Sequence, residues 1–301
     1  MISTDPVEHL RVFRPYPFVY CFYDGRIPNV RLHSEDENWL DDGGYSLGTA
    51  SYAIVDGDDA LIYDTHLTRA HARKIREFIE ALNVKRMRVV MSHSHLDHVA
   101  GNELFADCEI IAHEKTLAHL GHNKDRIEAG TFHGLPAINP LVLPNRTYEG
   151  EMSIEVGRLS VMLRHANIHS DDETLLHFDD SGLLLAGDTL EDTVTYVSDP
   201  KALDVHLAEL DRLWSFNISR ILPNHGDPDI IKHGGYQKQL IRATQQYIRS
   251  LKRCVEEPEL RDAELRTVIA GPLQAGWVNY FEPYEEVHRQ NVKEVLAVSL
   301  S

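Results

Sequence analysis

Short apolar runs separated by turn residues fill the first two thirds of the chain and predict β-strands. Residues 50–55 and 60–63 are apolar and flank the turn Asp56-Gly57-Asp58-Asp59, a pattern typical of a β-hairpin. The loosely alternating aromatic stretch 11–23 predicts an early strand. Between residues 69 and 82 the apolar spacing becomes that of a helix. Strands mixed with helices place the chain in the α/β class.

The most informative run, His93-Ser94-His95-Leu96-Asp97-His98, directly follows an apolar strand at 88–91. It places three imidazoles and a carboxylate at a strand end, where α/β folds commonly carry their chemistry. His93 and His95 are two apart in an extended loop and point to the same side. Asp97 and His98 turn away and open a helix predicted over 97–104. This geometry suits two adjacent metal ions better than one, and the alternative is a solvated His-rich loop.

Three later segments each offer one more potential metal ligand at the end of a strand. His169 closes the alternating stretch 159–169, Asp188 ends the apolar stretch 183–189, and His225 ends 221–226. A Gly-Asp pair after a strand is usually a turn, and a single histidine is usually not a ligand. Together with the cluster at 93–98, these three residues at successive strand ends predict a metal site.

The rest of the chain is predicted more coarsely. Residues 119–144 contain Gly, Asn and Pro and predict a long insertion, either over the active-site edge or as a plain surface loop. Residues 236–255 have the apolar spacing of an amphipathic helix, and 258–300 predict two more helices. Asp64 either supports the metal loop or caps the helix that follows it.

The ordered pattern of His93, His95, Asp97 and His98, followed by His169, Asp188 and His225, resembles the metallo-β-lactamase superfamily in its two-metal hydrolase form. The resemblance implies an αββα sandwich, with a core at about 45–240 in one domain of residues 1–301 and a helical extension at 241–301. It assigns one metal to His93, His95 and His169. It assigns the second to Asp97, His98 and His225, with Asp188 bridging both.

The implied activity is hydrolysis of a small ester or lactone by a hydroxide that bridges two divalent ions, with Zn²⁺ first and Mn²⁺, Fe²⁺ or Ni²⁺ as alternatives. Asp97 and Asp188 are the predicted catalytic carboxylates. A third predicted catalytic residue is Tyr196, because lactonases of this superfamily carry a tyrosine shortly after the bridging aspartate that can donate to the substrate.

Two departures from the family pattern argue against thioester and β-lactam substrates. The Pro-Gly turn that many thioesterases of this superfamily carry before the third motif is replaced by Ala166-Asn167-Ile168. The zinc-dependent β-lactamases of the superfamily carry Cys or Ser where this chain has Asp188. Other interpretations are β-lactam or amide hydrolysis, a mononuclear iron enzyme similar to persulfide dioxygenases, and a non-catalytic scaffold.

Composition predicts a cytoplasmic enzyme with a small-molecule substrate. The 301 residues suffice for one large α/β domain with 43% hydrophobic content. A net charge of −17 argues against nucleic acid and anionic membranes as partners. The N-terminal residues show no signal-peptide pattern, and Cys21, Cys108 and Cys254 are widely spaced, as expected for reduced thiols. A homodimer is compatible with the sequence.

Overall fold

The computed structural model describes residues 2–299 and contains two compact units. Unit 1 extends from the N-terminal end to His165, and unit 2 begins at Ala166. Each unit mixes helices with strands, and each contains a β-sheet, which confirms the predicted α/β class. Within residues 2–299, no helix combines the length and the apolar character needed to cross a bilayer.

A sheet forms the centre of unit 1. In the described residues its strands are β1 (Arg11–Tyr16), β2 (Val19–Asp24), β3 (Thr49–Asp56), β4 (Asp59–Tyr63), β5 (Arg86–Val90), β6 (Glu109–His113) and β7 (Arg146–Tyr148), in that spatial order. Pairing is antiparallel from β1 to β4 and parallel from β4 to β7. The predicted β3–β4 hairpin is confirmed. The single strand predicted over 11–23 is wrong, because the chain reverses at 17–18, where Pro17 has no backbone N–H to donate.

The helices of unit 1 are α1 (Arg69–Ala81), α2 (Leu96–Val99) and α3 (Glu114–Glu128), with a π-helical turn at Trp39–Tyr45 and a 3₁₀ turn at Asn102–Phe105. The continuous helix predicted over 97–104 is therefore wrong. At Gly101, where the helix is interrupted, a Cβ would lie 2.4 Å from the Thr65 carbonyl oxygen and 2.3 Å from the Ala72 Cβ. The backbone thus approaches α1 more closely than any other residue would allow.

The insertion predicted over 119–144 begins as part of α3, and only the segment after it is irregular. The buried residues Thr116, Leu120 and Ile127 of α3 lie on one face at helical spacing, and the His113 side chain caps the first turn by accepting from the Lys115 N–H. Interspersed polar residues weaken the apolar periodicity of this helix, which explains why the sequence favoured a loop.

Unit 1 also holds the antiparallel hairpin of β8 (Glu151–Val156) and β9 (Leu159–Ala166). Its turn is fastened to the end of β3: the Asp56 carboxylate accepts from the Arg158 backbone N–H at 2.7 Å and forms an ion pair with the Arg158 guanidinium at 2.7 Å. At Gly157 (φ +59°) a Cβ would lie 2.4 Å from the Asp56 carbonyl oxygen. This position therefore requires glycine.

Unit 2 contains β10 (Glu173–Phe178), β11 (Leu183–Leu185), β12 (Arg220–Leu222) and β13 (Tyr236–Gln237), which pair in the order β13-β12-β11-β10. Its α-helices among the described residues are α4 (Leu203–Ser215), α5 (Pro228–Lys232), α6 (Gln239–Arg253), α7 (Pro258–Arg261), α8 (Leu265–Val268), α9 (Ala270–Gln274) and α10 (Tyr284–Ser299), and a 3₁₀ turn covers Pro200–Ala202. The helix predicted over 236–255 is confirmed as α6. It begins at Gln239 because Tyr236 and Gln237 pair with β12.

Candidate metal centre

The parallel pairing of β4 with β5 determines where the ligand loop of unit 1 starts. Tyr63 pairs with Val90 at the carboxyl ends of the two strands, and the Asp64 N–H then donates to the Val90 carbonyl at 3.0 Å. The loop carrying His93, His95, Asp97 and His98 follows directly, and His95 immediately precedes α2. Four predicted ligands of unit 1 therefore lie together at a strand end, as the sequence indicates.

The three imidazoles of this loop are close to one another. The His93 ring centroid lies 4.5 Å from that of His95 and 4.5 Å from that of His98. Asp97 adds a carboxylate whose Oδ2 lies 3.4 Å from Nε2 of His98. His93 and His98 are fully buried. Imidazole nitrogens and a carboxylate grouped this closely can serve as ligands of a divalent cation.

Hydrogen bonds at Nδ1 orient two of these rings. Asp64 Oδ2 lies 3.0 Å from His98 Nδ1, and Ser92 Oγ lies 2.9 Å from His93 Nδ1. Asp64 also accepts from the Ser92 backbone N–H at 2.6 Å. One buried carboxylate therefore contacts Ser92 and His98, the residues at the two ends of the His-rich loop. Of the two interpretations of Asp64, the structure favours support of the loop, because Thr68 is the residue that caps α1.

In unit 2 the register of β11 against β12 brings two further predicted ligands together. Leu185 pairs with Leu222 in parallel, and Asp188 and His225 each lie three residues beyond that pair. The turn is held by a hydrogen bond from the Asn224 N–H to the Gly187 carbonyl at 2.9 Å. Gly187 has a φ of +56°, a conformation that glycine adopts without strain.

The Asp188 carboxylate lies between two imidazoles of unit 2. Its Oδ2 is 3.3 Å from His225 Nε2 and 3.8 Å from His169 Nε2. All three side chains are at most about 4% exposed. A buried carboxylate beside two ring nitrogens provides donor atoms that suit a divalent cation.

Residues after Asp188 hold its loop and the His169 ring. His169 Nδ1 lies 3.0 Å from the Tyr196 carbonyl oxygen, so the ring presents Nε2 toward Asp188. Thr195 Oγ1 donates to the Asp188 carbonyl at 2.7 Å. Buried Glu191 accepts from the Tyr196 N–H at 3.2 Å and from the Tyr284 hydroxyl at 2.9 Å.

Tyr196 occupies a position that the sequence interpretation did not anticipate. Its hydroxyl donates to Glu294, at 3.1 Å from Oε1, and its backbone carbonyl is the group that contacts His169. Burial, reinforced by the Glu294 carboxylate, raises the pKa of the Tyr196 phenol well above its usual range. The hydroxyl therefore stays protonated and remains a donor at neutral pH.

Several acidic residues near the candidate ligands are buried. Glu173, Glu191 and Asp192 are at most 2% exposed. Asp192 accepts from the Tyr236 hydroxyl at 2.6 Å and from the Asn279 N–H at 2.8 Å. Glu191 and Asp192 thus tie the loop to the C-terminal segment.

Four further histidines of unit 1, His66, His113, His133 and His165, contact neighbouring rings or backbone carbonyls. His66 is fully buried, stacks on His71 with ring centroids 4.5 Å apart, and contacts the Phe22 carbonyl. Burial lowers the pKa of His66 well below its usual value, so the ring is a neutral core group. His113 and His165 stack on each other at 4.1 Å. Phe132 lies 4.2 Å from the ring of His133.

The donor set of each unit fits divalent transition-metal binding. In unit 1, His93 with His95 and Asp97 with His98 offer ligand atoms within 4.8 Å of each other, and in unit 2 the same holds for His169 with Asp188. Imidazole nitrogens held by a bond at the opposite nitrogen, together with carboxylates, are preferred ligands of Zn²⁺ and similar ions.

Sequence reasoning did not predict the supporting contacts of Ser92, Glu191, Thr195 and Asn291. Ser92 adjoins the His-rich run and could have been noticed there. Asn291 accepts from the Val197 N–H across 94 positions of sequence, and a single polar residue in an amphipathic helix carries no signal of such a contact.

Comparison with known proteins agrees with this geometry. The family model of the metallo-β-lactamase superfamily matches residues 44–225, which include all seven predicted ligands. VMB-1 aligns with a TM-score of 0.60 at 15% identity over 83% of this chain and 100% of its own. A metallo-β-lactamase from Pontibacter korlensis aligns at 0.56 and 14% identity, over 78% and 99%. The DIM-1 metallo-β-lactamase aligns at 0.53 and 18% identity, over 78% and 97%. These likenesses show the fold, and no curated protein matches by sequence.

Proposed function

Because the chain belongs to the metallo-β-lactamase superfamily, we propose that it is a two-metal hydrolase that cleaves a small, largely uncharged ester or lactone. The family match and the His and Asp clusters support a metal-dependent hydrolase. The proposal adds the number of ions, the role of each ligand and the bond that is cut.

The observation that carries the proposal is the position of Asp188 within unit 2. Its Oδ2 lies 3.3 Å from one imidazole and 3.8 Å from another. We assign His93, His95 and His169 to one ion and Asp97, His98 and His225 to the other, with Asp188 shared. The outer bonds of His93, His98 and His169 at Nδ1 support this assignment, because they leave Nε2 as the binding atom.

When bound, two divalent ions supply a water that deprotonates near neutral pH and a Lewis acid for the substrate carbonyl. The protein supplies orientation and proton transfer. Asp188 holds the attacking water and accepts a proton from it on a carboxylate oxygen. It passes that proton to the leaving-group oxygen as the C–O bond of the ester or lactone breaks. Thr195, which donates to the Asp188 carbonyl, keeps that residue in place.

A largely apolar cavity of about 420 Å³ in unit 1, whose lining also includes His33 and Arg69, supports a substrate with an organic group. Trp39, Leu40, Leu67 and Ile138 contribute to its wall. The wall adjoins the ligand loop, because Gly44 packs against both Leu67 and Asp97. A protein of net charge −17 also disfavours a polyanionic substrate.

β-Lactam hydrolysis is the second candidate, because two of the similar structures are described as metallo-β-lactamases. Asp188 favours the ester or lactone, since the zinc β-lactamases that the sequence resembles carry Cys or Ser there. A mononuclear iron enzyme is less favoured, because Asp97, His98 and His225 would then have no metal to bind.

The first experiment is elemental analysis of the purified protein. Near two equivalents of Zn or Mn per chain support the proposal, and near one equivalent of iron overturns it. The metal-loaded protein is then assayed against matched esters, lactones, thioesters and a chromogenic β-lactam. A preference for the β-lactam would favour the second candidate.

Two ligand variants test the assignment. We expect His95→Ala and Asp188→Ala to abolish hydrolysis while circular dichroism shows an intact fold. Asp180→Ala is the control, because Asp180 is exposed in the turn before β11. Full activity of Asp188→Ala with retained metal would contradict the bridging role.

A further inference from the structure

Helix α10 reaches the loop that follows Asp188 through one buried side chain. Asn291 is 1% exposed. Its Oδ1 accepts from the Val197 N–H at 2.9 Å, and its Nδ2 donates to the Thr195 carbonyl at 3.0 Å. One amide thus pairs with the residues on both sides of Tyr196, as the backbone of a neighbouring strand would.

The residue between these two bonds, Tyr196, contacts the His169 ring through its backbone carbonyl. With Thr195 and Val197 both fixed, the Tyr196 carbonyl is held at 3.0 Å from His169 Nδ1. Thr195 Oγ1 and Glu191 Oε1 also lie near Nδ1, at 3.4 and 3.5 Å, and the Tyr196 carbonyl is the shortest of these contacts. Together they favour a proton on Nδ1 and leave Nε2 facing Asp188. The Asn291 amide therefore influences the position of the His169 ring through the backbone of Tyr196.

The amide is itself fixed by a chain of buried hydrogen bonds. Its second Nδ2 hydrogen is donated to the Tyr247 hydroxyl at 3.0 Å, which lies 3.2 Å from His288 Nδ1. His288 Nε2 lies 3.2 Å from the Ala263 carbonyl, an arrangement that requires the proton on Nε2 and leaves Nδ1 as an acceptor. Every polar atom of the Asn291 side chain has a partner, so the amide has one favoured orientation.

We infer that Asn291 is a positioning residue for His169, and that α10 sets the metal affinity of the centre from outside the ligand motifs. The inference rests on the proposed metal site. Helix α10 lies beyond residues 44–225, so the family match does not assign this role.

The test is zinc affinity measured by competition with a chromophoric chelator. Removing an outer support of a ligating histidine typically weakens metal binding about 10- to 100-fold. We expect a loss of that size for one of two zinc equivalents in Asn291→Ala. A smaller loss in the same direction is expected in Tyr247→Phe, which removes the acceptor for Nδ2 but keeps the ring. Substituting Co²⁺ and recording its absorption spectrum reports any change in coordination directly.

Glu285→Gln is the matched control. Glu285 also belongs to α10 and ties it to α8 by accepting from the Leu265 N–H at 3.0 Å. Neither this bond nor the one it accepts from the Tyr280 hydroxyl involves residues 188–197. We expect it to lower thermal stability without changing zinc affinity. An equal loss of affinity in Glu285→Gln would overturn the inference, because general loosening of the helix would then suffice.

The other outcomes separate this inference from the proposed function. If the wild-type protein binds no zinc, the metal site itself is refuted. If the wild type binds zinc and Asn291→Ala binds it equally well, only the role of Asn291 is refuted. Should Asn291→Ala fail to fold, Tyr247→Phe decides: an unchanged affinity and cobalt spectrum would overturn the inference.

Discussion

Asp64 Oδ2 lies 3.0 Å from Nδ1 of His98, and both side chains are fully buried. The same carboxylate accepts from the Ser92 N–H. Asp64 has a φ of +65°, which aspartate and asparagine tolerate better than most residues. One residue therefore combines an unusual backbone conformation with contacts that position the His98 ring and the Ser92 backbone before His93.

Asp64→Asn keeps this backbone conformation and removes the charge. We expect zinc affinity to fall about 10- to 100-fold, because the His98 ring loses its carboxylate partner. Chelator competition measures the change, and circular dichroism verifies the fold. Wild-type affinity in this variant would show that Asp64 serves only the backbone bend.

Gly44 and Gly43 provide a paired test of how closely the π-helical turn packs on Asp97. A Cβ at Gly44 would lie 2.8 Å from the Asp97 Cβ and 2.5 Å from Leu67 Cδ2, whereas a Cβ at Gly43 has nothing within 4 Å. We expect Gly44→Ala to displace Asp97 and lower both zinc affinity and kcat, and Gly43→Ala to leave both unchanged. Equal behaviour of the two variants in zinc titration and steady-state kinetics would refute this account of Asp97.

Tyr196→Phe separates the hydroxyl of Tyr196 from its backbone carbonyl. Removing one hydrogen-bond donor to a developing oxyanion typically costs about 10²- to 10³-fold in kcat. Because the hydroxyl donates to Glu294 and the carbonyl contacts His169, we expect kcat to change by less than about tenfold, well short of that range. A loss of 10²-fold or more, measured with the best ester or lactone, would instead support the predicted oxyanion role.

The sequence predicted where the loops with the candidate ligands lie, because each loop directly follows an apolar strand. His93, Asp188 and His225 all lie three residues beyond the ends of β5, β11 and β12, so local pattern alone places them at strand ends. The αββα fold and the pairing of ligands with ions came from the family resemblance, since periodicity does not specify strand order.

What the sequence could not supply is the set of supporting contacts. Glu191 and Asp192 resemble solvated loop residues in sequence but are buried against Tyr284 and Tyr236. Such contacts join positions 44 to 98 residues apart, and helix or strand patterning carries no information about them. The break at Gly101 was missed for the same reason, because only the close approach of α1 explains it.

His288 gives the protein a pH-dependent stability that a variant can isolate. Burial lowers the pKa of His288 below its usual value of 6.5, against the opposing effect of the Ala263 carbonyl and Glu285 and with a small contribution from Arg289. The unfolded chain therefore takes up a proton at a higher pH than the folded protein does. As the pH falls through about 6.5 toward the folded pKa, this difference favours unfolding. Above that pH window His288 is neutral in both the folded and the unfolded protein, and its contribution to the free energy of unfolding is fully retained.

We expect His288→Gln to melt at a lower temperature than the wild type at pH 8, because the acceptor for Tyr247 is altered. The difference in Tm should narrow between pH 7 and pH 5, since glutamine does not titrate and the wild type alone loses this contribution. Thermal melts of both proteins in matched buffers measure the difference. A gap that stays constant over this range would mean that His288 titrates alike in the folded and unfolded states, contrary to its burial.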